Sequence, residues 1–195
     1  MTSIGKYILK DGSIVDTLPK EKKSLGVIFD ETPNDYLILP FSDIDCHRSY
    51  NLQEIIDIAE SYNQEHGNRY LQWSVPSLKD WNTIIFNFGK TIPMGREELS
   101  ANDRMSEWTE FDATIAAENL KKYGLAAKSY YWSCTTEYDD EVYLLDIDTG
   151  TIEAFPIWDD GEPYDYALRL VGHVIKNRYG IGWRRKACDG KGIGI

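Results

Sequence analysis

The side chains in this 195-residue chain that could carry metal, nucleophilic or acid–base chemistry are its cysteines, histidines and late carboxylates. The three cysteines, Cys46, Cys134 and Cys188, form no C-x-x-C pair, and their odd number suits reduced thiols better than a disulfide framework. The three histidines, His47, His66 and His173, share no i,i+4 spacing. Cys46 and His47 are adjacent, and adjacency alone does not build a tetrahedral zinc site. Carboxylates gather at Asp139, Asp140, Glu141, Asp146, Asp148, Asp159, Asp160, Glu162 and Asp165. Calcium takes about six to eight oxygen ligands, and acidic loops of this kind can supply them. Asp159, Asp160 and Glu162 are the candidates for such an ion. No EF-hand spacing accompanies them, so solvated loop acids with no metal and no cofactor are the expected state. The sequence also lacks a nucleophile elbow, a P-loop, an H-E-x-x-H pair and a dinucleotide fingerprint. It therefore reads as a non-enzyme, with a metal-dependent enzyme as the remote alternative.

Aromatic side chains offer a different chemistry, that of recognition. There are 13 Tyr, 6 Trp and 6 Phe, and eight of the tyrosines fall between Tyr123 and Tyr179. Such rings present a flat apolar face with a polar handle, which serves sheet cores and binding surfaces alike. The formal charge of −11 argues against general nucleic-acid binding, which requires cations to displace phosphate counterions. The charge is uneven. Residues 171–195 carry Lys176, Arg178, Arg184, Arg185, Lys186 and Lys191 against Asp189, a surplus of +5 that leaves −16 on the rest. Five of the 15 glycines also fall in the last 16 residues, so a basic, glycine-rich extension is expected there. No segment has the roughly 18–20 apolar residues of a membrane-spanning helix. The opening Met1–Lys6 lacks the basic-then-apolar run of a secretory signal, so synthesis in the cytoplasm is expected.

The elements that must position these residues follow from periodicity and punctuation. Gly5–Lys10 leads through Asp11-Gly12, a favoured two-residue hairpin turn, into Ser13–Val15. Leu25–Asp30 and Tyr36–Pro40 read as further strands. Asn51 caps a helix whose apolar face is Leu52, Ile55, Ile56 and Ala59, and which Gly67 ends. Ser77 and Asp80 form a capping box before Leu78, Trp81, Ile84 and Ile85, with Gly89 at the end. Residues 91–110 read as a long loop, and Asp112–Tyr123 as a third helix stopped by Gly124. Strands follow at Ser129–Cys134, Val142–Asp146 and Thr151–Phe155, then an acidic loop over 157–165 and a last strand, Ala167–Val171. The order implies a single α+β domain with mostly antiparallel sheets and two to three helices. Its expected limits are 1–171, with an N-terminal β part at 1–45 and a core at 46–171, followed by the extension 172–195.

Four segments carry a resemblance. Trp73-Ser74-Val75-Pro76-Ser77-Leu78-Lys79-Asp80-Trp81 resembles the W-R-L-P-S-x-x-E-W signature of the C-terminal domain family of a collagen-like adhesin. Tyr131–Glu137 resembles that family's Y-W-S-S-T-E strand, Glu141–Gly150 its strand and turn, and Leu168–Val171 its closing V-R-x-V strand. The family has a C-type-lectin-like fold and is related to the variable proteins of diversity-generating retroelements. The chain departs from the pattern at Ser74, Asp80 and Cys134, and Thr136 looks inserted before Glu137. The family pattern usually closes near Val171, leaving 172–195 as an addition.

The resemblance implies a binding face built from loops after the mid-chain strands and around the late hairpin. It would present Tyr130, Thr135, Tyr138, Asp139, Tyr143, Trp158, Asp159, Tyr164 and Tyr166. Strand alternation places one of Tyr130 and Tyr131 inside. The implied function is that of an adhesin on a phage virion or tail, recognising a cell-surface glycan or protein. The alternative is a structural virion protein whose arm, with Arg178, Arg184, Arg185, Lys186 and Lys191, joins other virion proteins or a second copy.

Overall fold

A computed structural model describes residues 2–18, 20, 23–44, 52–89, 110–124, 130–136, 141–147, 152–156 and 166–176. Along the chain these form β1 (Tyr7–Leu9), β2 (Ile14–Val15), β3 (Ser24–Glu31), β4 (Asp35–Leu39), α1 (Leu52–His66) and β5 (Leu71–Ser74). There follow α2 (Leu78–Ile84), a π-helical turn (Ile85–Gly89), α3 (Glu110–Lys121), β6 (Tyr130–Thr136), β7 (Glu141–Asp146) and β8 (Ile152–Pro156). Two strands close the series, β9 (Tyr166–Ala167) and β10 (Val171–Ile175). One sheet has the order β2-β1-β3-β4-β10-β5, and the other β8-β7-β6-β9. All pairings are antiparallel except β6 with β9. The class is α+β, as the order of elements in the sequence implies.

Each sheet feeds two cores. Val27, Phe29 and Leu39 of the first sheet meet Tyr131, Tyr143, Leu145 and Ala167 of the second, together with α2, the π turn and α3. On the other side, Ile8, Ile28, Ile38, Leu71, Trp73 and Val174 meet Trp132, Val142, Leu144, Tyr166 and the buried face of α1, Ile55 and Ala59. Alternation along a strand therefore moves a side chain from one core to the other, and often not from core to water.

The helix after Ser77 forms as its capping residues dictate. The Ser77 hydroxyl accepts from the Asp80 amide, and the Asp80 carboxylate accepts from the Ser77 amide at 2.8 Å. Leu78, Trp81, Ile84 and Ile85 are all buried, Trp81 completely. The Trp81 indole N–H donates to the Trp132 carbonyl at 3.1 Å, which fixes α2 on β6. Asn63 of α1 stitches that helix to the edge strand β5. Its side-chain oxygen accepts from the Trp73 amide at 2.6 Å, and its side-chain N–H donates to the Trp73 carbonyl. Those backbone groups would otherwise stand open at a sheet edge.

Three expectations need correction. The first hairpin turns on three residues, because Leu9 pairs with Ser13 through a 2.9 Å bond and Gly12 donates back to Leu9. A three-residue loop of this kind is the next favoured solution after the two-residue turn. The second helix reaches Gly89 as expected, its last part widened into the π turn that carries Phe88 and Gly89 into the core. The last strand does not run over Ala167–Val171. Only Tyr166–Ala167 pairs with β6, and a separate strand begins at Val171. The domain consequently does not close at Val171: Gly172–Ile175 lie within β10, hydrogen-bonded between β4 and β5.

Candidate functional site

Four of the candidate binding residues, Tyr130, Thr135, Tyr143 and Tyr166, lie on the four-stranded sheet, whose two ends differ. Glu141 pairs with Pro156 and Thr136 with Val142, so the connections 137–140 and 157–165 both start from one end. Tyr130 pairs with Asp146 and Tyr166, so the other end receives the close of the 157–165 connection. The two ends lie roughly 20 Å apart at about 3.3 Å per strand residue.

At the first end β6 bulges. Between the pairs Trp132–Leu144 and Thr136–Val142 it advances four residues while β7 advances two. The extra residues dock on the start of α2. The Cys134 amide donates to the Pro76 carbonyl at 2.8 Å, and the Thr135 hydroxyl accepts from the Leu78 amide at 3.0 Å. The buried Ser133 hydroxyl in turn accepts from the Thr135 amide at 2.9 Å. A bulge of this sort re-aims a strand end, and here it is anchored from below.

Cys134 sits at the same bulge as an exposed free thiol. Desolvation by the surrounding protein, then the Asp80 carboxylate, pushes its pKa above the ordinary thiol range. A thiol shifted in that direction is mostly protonated at neutral pH and is a weak nucleophile.

The structure divides the expected face. Tyr143 and Tyr166 are buried, at 6% and 5% exposure, one in each core, so neither is a surface contact. The reason is that this sheet is covered on both sides. Tyr131 is the fully buried member of its pair, while Tyr130 is half-buried and packs edge-on against Tyr166 at 5.5 Å. Thr135 is half-buried, and its hydroxyl serves α2. Tyr138, Asp139, Trp158, Asp159 and Tyr164 lie outside the described residues, as do the candidate cation ligands Asp160 and Glu162. The arm residues Arg178, Arg184, Arg185, Lys186 and Lys191 lie outside them too. Among the carboxylates expected in solvated loops, Asp146 is instead buried at the end of β7. No group of three or more metal-ligating residues occurs among the described residues, and no helix there is long and apolar enough to cross a membrane.

No family model and no curated protein matches this chain.

Two polar nodes escaped the sequence reading. Arg169 is completely buried, with its Nε on Asp43 Oδ1 at 2.6 Å. Its two terminal nitrogens donate to the carbonyls of Pro40 and Gly124, each at 2.7 Å. Three separated segments thus meet on one guanidinium, whose fork geometry suits such a junction. The second node joins Lys176 to Glu31 at 2.8 Å. For Arg169 a signal existed: a lone charge inside the apolar run Leu168–Val171. Nothing local marks Lys176.

Proposed function

We propose that this protein is a binding module with a C-type-lectin-like arrangement of its loops, recognising a cell-surface glycan or protein. The observation that carries this reading is the meeting of Thr136, Glu141 and Pro156 at one end of the four-stranded sheet. Tyr138, Asp139, Trp158 and Asp159 are within three residues of these anchors in sequence. Aromatic rings stack on sugar faces or anchor protein contacts, and neighbouring carboxylates accept from hydroxyls. The bulge docked on α2 supplies a firm base for that end, and binding residues held by a rigid scaffold lose less entropy on engagement. Tyr130, near the other end, and the buried Tyr143 and Tyr166 drop out of the proposed face, which keeps Thr135, Tyr138, Asp139, Trp158, Asp159 and Tyr164. Display on a phage particle is the setting that the adhesin-like segments suggest.

The test is a glycan-array and cell-envelope binding screen on the full chain, with and without calcium. Saturable binding that falls at least about tenfold in Tyr138→Ala and Trp158→Ala is the expected result, hot-spot aromatics being worth more than about 1 kcal/mol each. Binding that survives both substitutions would move the site elsewhere. Absence of any binding, with a concentration-dependent oligomer, would favour the structural alternative.

A further inference from the structure

The exit of β10 and the opening segment of the chain are held by one side chain. Glu31 is the last residue of β3 and pairs directly with Tyr36 across the β3–β4 hairpin. It reaches that position because the register slips between Ile28 and Asp30, and the Asp30 carboxylate then accepts from the Glu31 amide at 2.7 Å. The two oxygens of Glu31 have different partners. Oε1 accepts from Lys176 Nζ at 2.8 Å, and Oε2 accepts from the Ser3 amide at 2.8 Å.

Both partners are built in from their own sides. Lys176 also donates from Nζ to the Thr32 carbonyl at 2.6 Å and lies over the Tyr36 ring at 4.2 Å. Its amide donates to Asn34 at 2.7 Å, and the Ile175 amide to Tyr70 at 2.9 Å. Ser3 begins a turn closed by the Lys6 amide on the Ser3 carbonyl at 3.0 Å, and Gly5 donates to the Ile28 carbonyl at 2.8 Å. Lys176 and Glu31 keep only 20% and 26% of their side-chain surface in water, so the pair is shielded without being sealed.

We propose that Glu31 is the shared catch of a two-ended latch, through which displacement of Lys176 releases residues 2–6, and the reverse. The coupling arises because a glutamate fixed at both oxygens has lost its rotamer freedom once for two bonds. When either partner leaves, that freedom returns and the remaining bond must bear its whole ordering cost. A macromolecule that drew Lys176 away from Glu31 would thereby loosen the opening turn on the far side of β3.

Amide hydrogen exchange on the full chain tests this, comparing the parent with Lys176→Met, Lys176→Arg and Glu31→Gln. In Lys176→Met, exchange at Ser3, Gly5 and Lys6 should accelerate about tenfold together with Ile175 and residue 176, in keeping with the loss of a charge-assisted bond. Glu31→Gln should loosen the same two groups, and Lys176→Arg should restore most of the protection. Trp132 and Leu144, in the other sheet, should not change in any variant. Three outcomes would overturn the latch. In one, Lys176→Met loosens residues 175–176 while residues 3–6 keep their parent rates. In another, all amides accelerate by the same factor, which marks general destabilisation. In the third, neither group changes.

Discussion

Arg169–Asp43 and Lys176–Glu31 both tie the late part of the chain to the β3–β4 region, but they stand in different surroundings. The first has side-chain exposures of 0% and 9%, and the second 20% and 26%. Arg169 is closed to water, and Asp43, Pro40 and Gly124 receive three of its five N–H groups. Lys176 keeps a partly wet ammonium above the Tyr36 ring. The contrast shows two uses of a charge at a junction. The sealed pair specifies which segments meet, because any other arrangement strands a buried ion. The shielded pair can open and close at modest cost.

The largest effect that would break this comparison is expected at Arg169. Arg169→Ala removes the cation beside the Asp43 carboxylate and the donors to the Pro40 and Gly124 carbonyls, and should cost about 3–5 kcal/mol in denaturant unfolding. Replacing both members by apolar residues, Arg169→Met with Asp43→Leu, should recover most of that loss, since neither charge is then withdrawn from water. If the double variant is as weak as the single one, the three-way junction itself is what matters.

Glu31 comes next, and it is read through pH. Its pKa is lowered, first by the bond from Lys176 and then by the bond from the Ser3 amide, against a smaller opposing effect of burial. A carboxyl lowered in the folded state contributes stability that is fully present above its unfolded pKa and is lost as pH falls through the folded value. Unfolding free energy should therefore drop below the ordinary glutamate range in the parent. That drop should be shallower in Glu31→Gln, by about 1 kcal/mol or less for a partly solvated pair. Equal acid sensitivity in the two proteins would remove Glu31 from the account.

The smallest effect calibrates the other two. Lys6 and Asp16 approach to 3.0 Å, yet Asp16 is 81% exposed. Asp16→Asn should change the melting free energy by no more than about 0.5 kcal/mol, and 1 M salt should erase even that. A larger change would mean that exposure is a poor guide to these pairs.

The sequence made local features legible and left most long-range ones hidden. Ser77 and Asp80 announced their helix, and the structure has that capping box with the expected inner face. Gly124 also ended α3 as read. It adopts a φ of +77°, and a Cβ there would come within 2.5 Å of the Phe41 carbonyl oxygen. By contrast β10 was hidden because Gly172 and His173 interrupt its apolar run. Gly172 is needed there: a Cβ would meet Ile38 Cγ1 at 2.7 Å and Trp73 Cζ3 at 2.9 Å. The two ion pairs join residues 126 and 145 positions apart, which no local pattern connects. Tyr143 and Tyr166 misled because tyrosine patterns identically in a core and on a surface, and only the second covered face of their sheet decides between the two. Of the proposed binding face, the strand ends that anchor it follow from the paired strands.

The position of β10 bears on how the molecule is made. β5, whose Leu71–Ser74 precedes half the chain, joins the six-stranded sheet only through β10. Until Val171–Ile175 leave the ribosome, β4 and β5 have no strand between them, and the apolar faces around Ile38 and Trp73 lack Val174. Pairings of such long sequence separation form slowly and late. Between the synthesis of β5 and that of β10 the nascent chain therefore carries an open sheet edge, the kind of surface through which folding intermediates aggregate.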